Sequence, residues 1–259
     1  MKLDISTVNF SRFDNIRSIH LPTKMTTELA EDIGVMIGDG NIGLYRRGTT
    51  TDYVVGCTGN LVDEKRYYKE HLRNLKLKLF GANFGYYEKI SDSTCYLKLN
   101  SKCLLEFYTK VIGLPIGRKT NIKIPNKIFS NKQFIAACMR GLGDTDMSLS
   151  FKRRWKKEKF YPVIKLSTCS KPLVNSINEA LCLLGFSPSI CLDIKKYDIR
   201  YAKGFISHEI ALYGKLAIDK WFNIIGSNNP KTMYKYDFWK RFDVAPSQSK
   251  IYEILNKQT

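Results

Sequence analysis

Apolar and polar positions follow the same order twice along this chain, and the order predicts a repeated set of helices and strands. The runs IGVMIGDGNIG at 33–43 and AACMRGLGDTDMSLSF at 136–151 both begin like a buried helix and both stop at an aspartate. Each is followed by a strand-like run, NIGLYRR at 41–47 and MSLSFKRRW at 147–155. A second strand, a polar turn and an amphipathic helix ending near a glycine then follow in both places. The pattern predicts two halves, each of the type α-β-β-α-β-β-α.

Single residues mark the same repeat. Lys102 and Gly113 recur as Lys215 and Gly226, with one common offset and in segments of similar sequence. A duplicated unit is the simplest account of landmarks that recur in order. We expect an α+β fold with an N-terminal half at 1–120 and a C-terminal half at 121–259, because the segment around this boundary is rich in Pro, Gly and Lys.

Small residues recur every four positions along both predicted motif helices. The stripes are Ala30, Gly34 and Gly38 in the first helix and Ala137, Gly141 and Thr145 in the second. Residues at this spacing share one helix face, so the two backbones can pack unusually close. Thr26 or Thr27 is expected to cap the first helix, and Ser130 with Gln133 the second.

An aspartate follows each stripe, at Asp39 and Asp146. If the helices pack through their stripes, the two carboxylates come close together, where they repel each other and the negative ends of the helices. A divalent cation with oxygen ligands would offset that repulsion. The alternative for either motif taken alone is a plain helix end followed by a turn.

The composition indicates a polyanionic partner. The chain has 42 basic and 24 acidic residues, a net charge of +18, and nucleic acid is the partner that such a charge favours. Seven cysteines without a CxxC pair indicate buried reduced thiols, and three histidines cannot build a histidine metal cluster. We find neither a signal pattern nor an apolar run of about 20 residues, so we expect an intracellular protein, cytoplasmic, nucleoid-associated or organellar, and not a secreted one.

The two motifs resemble those of the LAGLIDADG homing endonucleases in the form that carries both on one chain. The matching segments are DIGVMIGDG at 32–40 and MRGLGDTDM at 139–147, supported by IGLPIGRKTNIKIP at 112–125 and IIGSNNPKTM at 224–233. The resemblance covers most of residues 26–240. It implies two pseudo-symmetric αββαββα half-domains, packed through the motif helices, with antiparallel sheets that form a saddle over DNA.

The resemblance also implies a metal-dependent reaction that hydrolyses both strands of a long double-stranded DNA target. Asp39 and Asp146 would bind Mg²⁺ or Mn²⁺ with the backbone carbonyls of Gly38 and Thr145, and Ca²⁺ is expected to support binding without cleavage. No organic cofactor is implied. The basic or amide side chains that would assist catalysis are Asn60, Lys119, Lys171 and Lys231.

Recognition of DNA is expected from residues on the sheets. The densest basic run is FKRRWKKEKF at 151–160, directly after the second motif. Arginines there suit guanine edges, lysines suit phosphates, and the alternative is a solvated charge patch. The candidate DNA-binding residues are Arg46, Arg47, Lys152, Arg153, Arg154, Lys156, Lys165, Lys195, Lys196 and Arg200.

The second motif departs from the family pattern at two positions. Met147 stands where glycine is usual and cannot easily adopt a positive φ, so the helix end is expected to be displaced or the centre slower. Gly143 replaces a larger apolar residue, which weakens the helix.

Other functions remain open beside the endonuclease. These are an RNA maturase with intron RNA as partner, a DNA-binding regulator that does not cleave, and a basic ribosome-associated protein. Because the chain starts with Met1, we expect a free-standing and intron-encoded protein and not an intein. A monomer is expected, because one chain holds both motifs.

Overall fold

The chain folds into two four-stranded antiparallel sheets and a set of helices, seen in a computed structural model that describes residues 1–154, 158–198 and 202–257. The prediction of an α+β fold with the repeated order α-β-β-α-β-β-α is confirmed. Helices that the pattern did not predict come before the first repeat and after the second. The boundary between residues 120 and 121 stays a prediction.

Helix α1 (Arg12–Ile16) precedes the first repeat, which contains these elements in chain order: α2 (Thr27–Ile37), β1 (Gly40–Arg47), β2 (Thr50–Asn60), α3 (Leu61–Arg66), α4 (Arg73–Phe80), β3 (Gly85–Lys89), β4 (Thr94–Asn100) and α5 (Lys102–Glu106). Two π-helical segments, Tyr67–Leu72 and Phe107–Ile112, continue α3 and α5. Short 3₁₀ helices lie at Ile90–Asp92 and Asn126–Ser130.

The second repeat is built in the same order. Its elements are α6 (Lys132–Thr145), β5 (Ser148–Arg154), β6 (Glu158–Thr168), α7 (Lys171–Leu183), β7 (Ser189–Asp198), β8 (Lys203–Tyr213) and α8 (Lys215–Ile224), followed by α9 (Pro230–Phe242) and α10 (Gln248–Lys257). The strand order is β1-β2-β4-β3 in one sheet and β5-β6-β8-β7 in the other, so the two sheets have the same topology.

The motif helices α2 and α6 pack on each other through the predicted glycines. A Cβ atom on Gly34 would lie 2.0 Å from the carbonyl oxygen of Cys138, and one on Gly141 would lie 2.1 Å from that of Glu31. Real Cβ atoms essentially never approach other atoms this closely, so both positions require glycine. The close helix pair in turn places the two helix ends side by side.

The helix starts agree with one of the two cap predictions. The Thr26 side chain accepts a hydrogen bond from the backbone N–H of Leu29 and caps α2, as predicted. The capping box predicted for Ser130 with Gln133 is wrong: Asn131 caps α6 by accepting from the N–H of Gln133. The Ser130 hydroxyl instead donates to the carbonyl of Lys127, which closes the preceding 3₁₀ turn.

The structure explains one departure of the second motif and corrects the expectation about the other. Gly143 makes room for the buried Trp221 of α8, since a Cβ on Gly143 would lie 2.7 Å from that ring. The expected need for a positive φ at Met147 is wrong, because neither Met147 nor its counterpart Gly40 has one. Gly40 is required by space, as its Cβ would lie 2.3 Å from the carbonyl oxygen of Met36.

Two further expectations concerned the burial of the cysteines and the absence of a membrane-spanning segment. All seven cysteines are free, and the expectation of burial is wrong for three of them. The exposed ones are Cys169, Cys182 and Cys191, and the buried ones are Cys57, Cys95, Cys103 and Cys138. None of the helices in the described part of the chain is long and apolar enough to cross a membrane.

Candidate functional site

Asp39 and Asp146 lie next to each other where the two motif helices end. Helix α2 ends at Ile37, and Gly38 turns the chain so that Asp39 follows directly. A Cβ on Gly38 would lie 2.1 Å from the Thr145 hydroxyl oxygen and 3.5 Å from Cγ of Asp146. The ends of α2 and α6 therefore touch, and the Asp146 charge acts directly on Asp39.

The Asp39 carboxyl is held in a partly buried position that disfavours its charge. Burial raises its pKa to about 7, and the negative charges of Asp146 and Glu64 act in the same direction. Two groups oppose this shift: the Tyr68 hydroxyl donates a hydrogen bond of 2.7 Å to Oδ2 of Asp39, and the Lys119 ammonium lies nearby. The Tyr68 hydrogen bond and the Lys119 charge therefore do not fully offset the cost of ionising the Asp39 carboxyl at neutral pH.

Asp146 is the more accessible of the two acids. Surrounding protein raises its pKa and Lys119 lowers it, but the residue itself is exposed. Contact with water weakens the effect of burial, so we consider Asp146 more readily ionised than Asp39.

Lys119 is the cation between the two acids. Its ammonium donates to the backbone carbonyl of Ile37 at 3.1 Å and also to the carbonyl of Gly38. Burial lowers the pKa of Lys119, while the carboxylates of Asp146 and Asp39 raise it. Lys119 therefore satisfies the last carbonyls of α2 and partly neutralises the acid pair.

The oxygen atoms at this place suit a hard divalent cation. They comprise the carboxylates of Asp39 and Asp146 and the carbonyl of Gly38, which Mg²⁺ accepts as ligands together with water and phosphate oxygens. Among the residues that the structure describes, no three His, Cys, Asp or Glu side chains group as a metal site. The Thr145 hydroxyl donates to the carbonyls of Gly141 and Leu142, so the backbone of Thr145 is its remaining candidate ligand.

The three other candidate catalytic residues have different surroundings. The Asn60 side chain caps α3 by accepting from the N–H groups of Val62 and Asp63. The Lys231 ammonium lies 3.1 Å from an oxygen of Asp63 and 3.3 Å from one of Glu64, so it joins the two repeats. The Lys171 ammonium pairs at 2.7 Å with Asp193 on the exposed surface.

The candidate DNA-binding residues differ in how free their charges are. Arg46, Lys152 and Lys195 are exposed. Lys165 and Lys196 both pair with Glu209, at 2.5 Å and 2.8 Å. Their ammonium groups lower the pKa of Glu209 to about 2, so part of the charge expected for DNA is neutralised within the sheet. Lys156 and Arg200, with the side chains of Arg47, Arg153 and Arg154, lie outside the described residues.

Sequence reasoning missed two residues beside the acid pair. Tyr68 lies on the π-helical segment after α3, and its approach to Asp39 leaves no signal in the local pattern. Asp144 stands two positions before Asp146, and the repeated acid in GDTD was a usable signal. Its carboxylate accepts hydrogen bonds from the Ser227 hydroxyl and, at 2.7 Å, from the N–H of Asn228. Burial raises the pKa of Asp144 to about 7, and it fixes the loop before α9.

A buried salt-bridge cluster joins the two repeats behind the acid pair. The buried Glu31 carboxylate of α2 accepts from the Arg140 guanidinium of α6 at 2.7 Å and from the Asn228 amide at 2.7 Å. His71 Nε2 lies 2.6 Å from Oε1 of Glu31, the oxygen that also accepts from Asn228, while Arg140 bonds to Oε2. Four residues distant in sequence thus fix α2 against the second repeat.

Without divalent ions, Asp39→Asn should raise the melting temperature at neutral pH. The pKa of Asp39 is about 7 in the folded protein against 3.8 for an ordinary aspartate, so the folded state keeps a proton that the unfolded chain loses between these pH values. Wild-type stability therefore falls as the pH rises through this window, and asparagine removes that loss. We expect a gain of about 2–6 °C in EDTA near pH 8 and a smaller one near pH 5.

Asp146→Asn is the matched control for this measurement. It removes the same charge from an exposed carboxyl, so its effect on the melting temperature should be smaller at both pH values. An equal gain from Asp39→Asn at both pH values would contradict the assignment of a raised pKa to Asp39.

Comparison with known proteins gives a clear answer for the fold. Neither a family model nor a curated protein matches the sequence. The structure is similar to I-DmoI in complex with DNA and Ca, with 18% identity, a TM-score of 0.55, and coverage of 82% of this chain and 97% of that one. It is also similar to the LAGLIDADG homing endonuclease I-GzeII in complex with its DNA target, with 9% identity, a TM-score of 0.52, and coverage of 90% and 97%.

A third structure agrees with these two. The meganuclease I-SmaMI, bound to uncleavable DNA, has 13% identity and a TM-score of 0.50, and the match covers 86% of this chain and 90% of that one. Identities this low establish a shared architecture and leave the activity to be argued from the site. The chain thus has the fold of the LAGLIDADG homing endonucleases, in the form that carries both motif helices on one chain.

Proposed function

We propose that this protein is a site-specific DNA endonuclease that hydrolyses both strands of a long double-stranded target with a divalent metal ion. The observation that carries the proposal is the pair of carboxylates, Asp39 and Asp146, at the touching ends of α2 and α6. A protein that only binds nucleic acid has no use for two acids brought together at a cost in electrostatic energy. The complexes of I-DmoI with DNA and Mn and with DNA and Ca agree with this proposal.

Asp39, Asp146 and the Gly38 carbonyl would hold the metal ion, Mg²⁺ in the first place or Mn²⁺. When bound, such an ion stabilises negative charge on the phosphate and activates the attacking water. The side chains are then ligands and not general bases. Lys119 neutralises the remaining carboxylate charge and has an ammonium group with which to donate to a phosphate oxygen. Asn60, Lys171 and Lys231 are weaker candidates for assistance, because their side-chain partners are groups other than the acid pair and the end of α2.

The exposed residues on the two sheets would bind the DNA. Arg46, Lys152 and Lys195 carry charges open to solvent, and the net charge of +18 favours a polyanion. The side chains on the two sheets differ, so we expect a target that is only partly symmetric. One chain supplies both acids, so we expect a monomer. We also propose that the protein acts inside the cell and is encoded within an intron.

The test is cleavage of a randomised duplex library by the purified protein. In Mg²⁺ we expect a single long site to be recovered, cut on both strands. In Ca²⁺ the same site should be bound and left uncut. A library that is neither bound nor cut would contradict the proposal.

Tight and specific binding without a cut in Mg²⁺ or Mn²⁺ would favour a regulator or an RNA maturase instead. Intron RNA would then be the next ligand to assay. No specific observation in the described residues favours either alternative over cleavage, since both acids are present at the seam of the helices.

A further inference from the structure

Among the residues that the structure describes, the hydrogen bond from Tyr68 to Asp39 has no counterpart at Asp146. We infer that Tyr68 is a positioning residue that fixes the Asp39 carboxylate toward the metal, so that the two acids form unequal halves of the site. Two measurements test this inference. The rate of DNA nicking rests on the endonuclease proposal, whereas Mn²⁺ binding rests on the acid pair alone.

The hydroxyl of Tyr68 is bonded to the Asp39 carboxyl inside the protein. The side chain is fully buried, and its hydroxyl donates to Oδ2 of Asp39 at 2.7 Å. A bond to one oxygen of a carboxylate fixes the rotation of that group and directs its free lone pairs elsewhere. The remaining oxygen of Asp39 would then bind the metal that it shares with Asp146.

Gly59 of β2 makes this approach feasible. A Cβ atom on Gly59 would lie 2.2 Å from the Tyr68 ring, so the ring packs against the strand at a residue without a side chain. The π-helical segment Tyr67–Leu72 contributes as well, because it turns two successive tyrosines into the protein interior. Segments of this kind are frequent at functional sites.

The described part of the second repeat has none of these features. Helix α7, which occupies the place of α3 and α4 after the second strand, has the sequence KPLVNSINEALCL and contains no aromatic residue. It is also regular over its 13 residues. For Asp146 the charge that opposes burial is Lys119, whose ammonium donates to the backbone carbonyls at the end of α2, and no hydroxyl bonds to the Asp146 carboxyl among the described residues. Asp39 is therefore the preorganised ligand of the pair.

Tyr68→Phe tests the role, and Tyr67→Phe is a matched control. Tyr67 is adjacent and equally buried, but its hydroxyl has no hydrogen-bond partner among the described residues. Each variant removes one buried hydroxyl and keeps the ring. The first readout is Mn²⁺ binding to the free protein by calorimetry. We expect Tyr68→Phe to weaken it about 10-fold, as loss of a bond to a metal ligand commonly does, and Tyr67→Phe to match the wild type.

The second readout is the rate of nicking measured separately on each DNA strand. Tyr68→Phe should slow one strand about 10-fold and the other less than about 2-fold, so that nicked DNA accumulates. Gly59→Ala, which displaces the ring, should act in the same way. Melting temperatures of the two Tyr→Phe variants identify any effect that comes from folding alone.

The possible outcomes separate the positioning role of Tyr68 from the proposed endonuclease activity. Weaker Mn²⁺ binding by Tyr68→Phe, in a protein that cleaves no DNA, would keep the positioning role and remove the endonuclease. Equal Mn²⁺ affinity and equal strand rates in both Tyr→Phe variants would overturn the role of Tyr68. A wild type that binds no Mn²⁺ would overturn it too, since Asp39 would then be no metal ligand. Equal slowing of both strands would contradict the unequal halves of the site.

Discussion

Asp39→Asn and Asp146→Asn are each expected to lower the cleavage rate in Mg²⁺ by about 10³-fold or more. The amide keeps the shape of the side chain and removes the charge that the metal requires. The residues act as one unit on one centre, so the double variant should be hardly slower than either single variant. The measurement is single-turnover cleavage of the recovered target, with enzyme in excess over DNA.

DNA binding separates a catalytic loss from a structural one. In Ca²⁺ both variants should bind the target with an affinity close to that of the wild type. Asp4→Asn is the control, because Asp4 is an exposed carboxylate whose hydrogen bonds within the described part of the chain are to Ser6. A cleavage rate within about 10-fold of the wild type in either variant would remove that acid from the metal site.

The contact between the two motif helices could be predicted from the sequence, because the small residues that form it are close together along each helix. Gly34 and Gly141 stand in stripes whose spacing alone places them on one helix face, and the repeat doubles the signal. Asp39 and Asp146 follow from the same spacing, since the residue after the stripe must lie at the helix end. Their adjacency needed no knowledge of other elements.

The surroundings of the acids could not be predicted in this way. Tyr68 reaches Asp39 only because a π-helical segment shifts the helix and Gly59 lets the ring pass. The lysines Lys119 and Lys231 stand at similar places in the two repeats, yet one joins the acid pair and the other pairs with Asp63 and Glu64. Their equivalent positions in the repeat suggested the same catalytic role for both lysines. The residues around them differ between the two halves, and this difference determines which groups each lysine contacts.

A buried ion pair in the core is the feature furthest from any sequence signal. The Lys76 ammonium of α4 donates to Asp32 of α2 at 2.7 Å, and both side chains are fully buried. The Tyr108 hydroxyl donates to the other oxygen of Asp32. Burial opposes the charge on Lys76, but the Asp32 carboxylate raises the pKa of Lys76, so this lysine is protonated. Asp32 lies in the motif helix, so the pair fixes this helix to the rest of the first repeat.

Lys76→Met is therefore expected to destabilise the protein by about 3–5 kcal/mol. The substitution keeps most of the volume and leaves the Asp32 carboxylate buried with Tyr108 as its remaining partner, and an unpaired buried charge costs about this much. Adding Asp32→Asn to Lys76→Met removes that charge, so the double variant should recover most of the loss. The measurement is the free energy of unfolding from urea titration.

The same substitution at Lys78 supplies the control for the buried pair. Lys78 also lies on α4 and also pairs with an acid of α2, Glu28, at 2.6 Å, but its side chain is 69% exposed. Lys78→Met should cost less than about 1 kcal/mol, because water and salt screen an exposed pair. If Lys76→Met costs no more than Lys78→Met, or if the double variant is less stable than the single one, the charge on Asp32 is not what holds the motif helix in place.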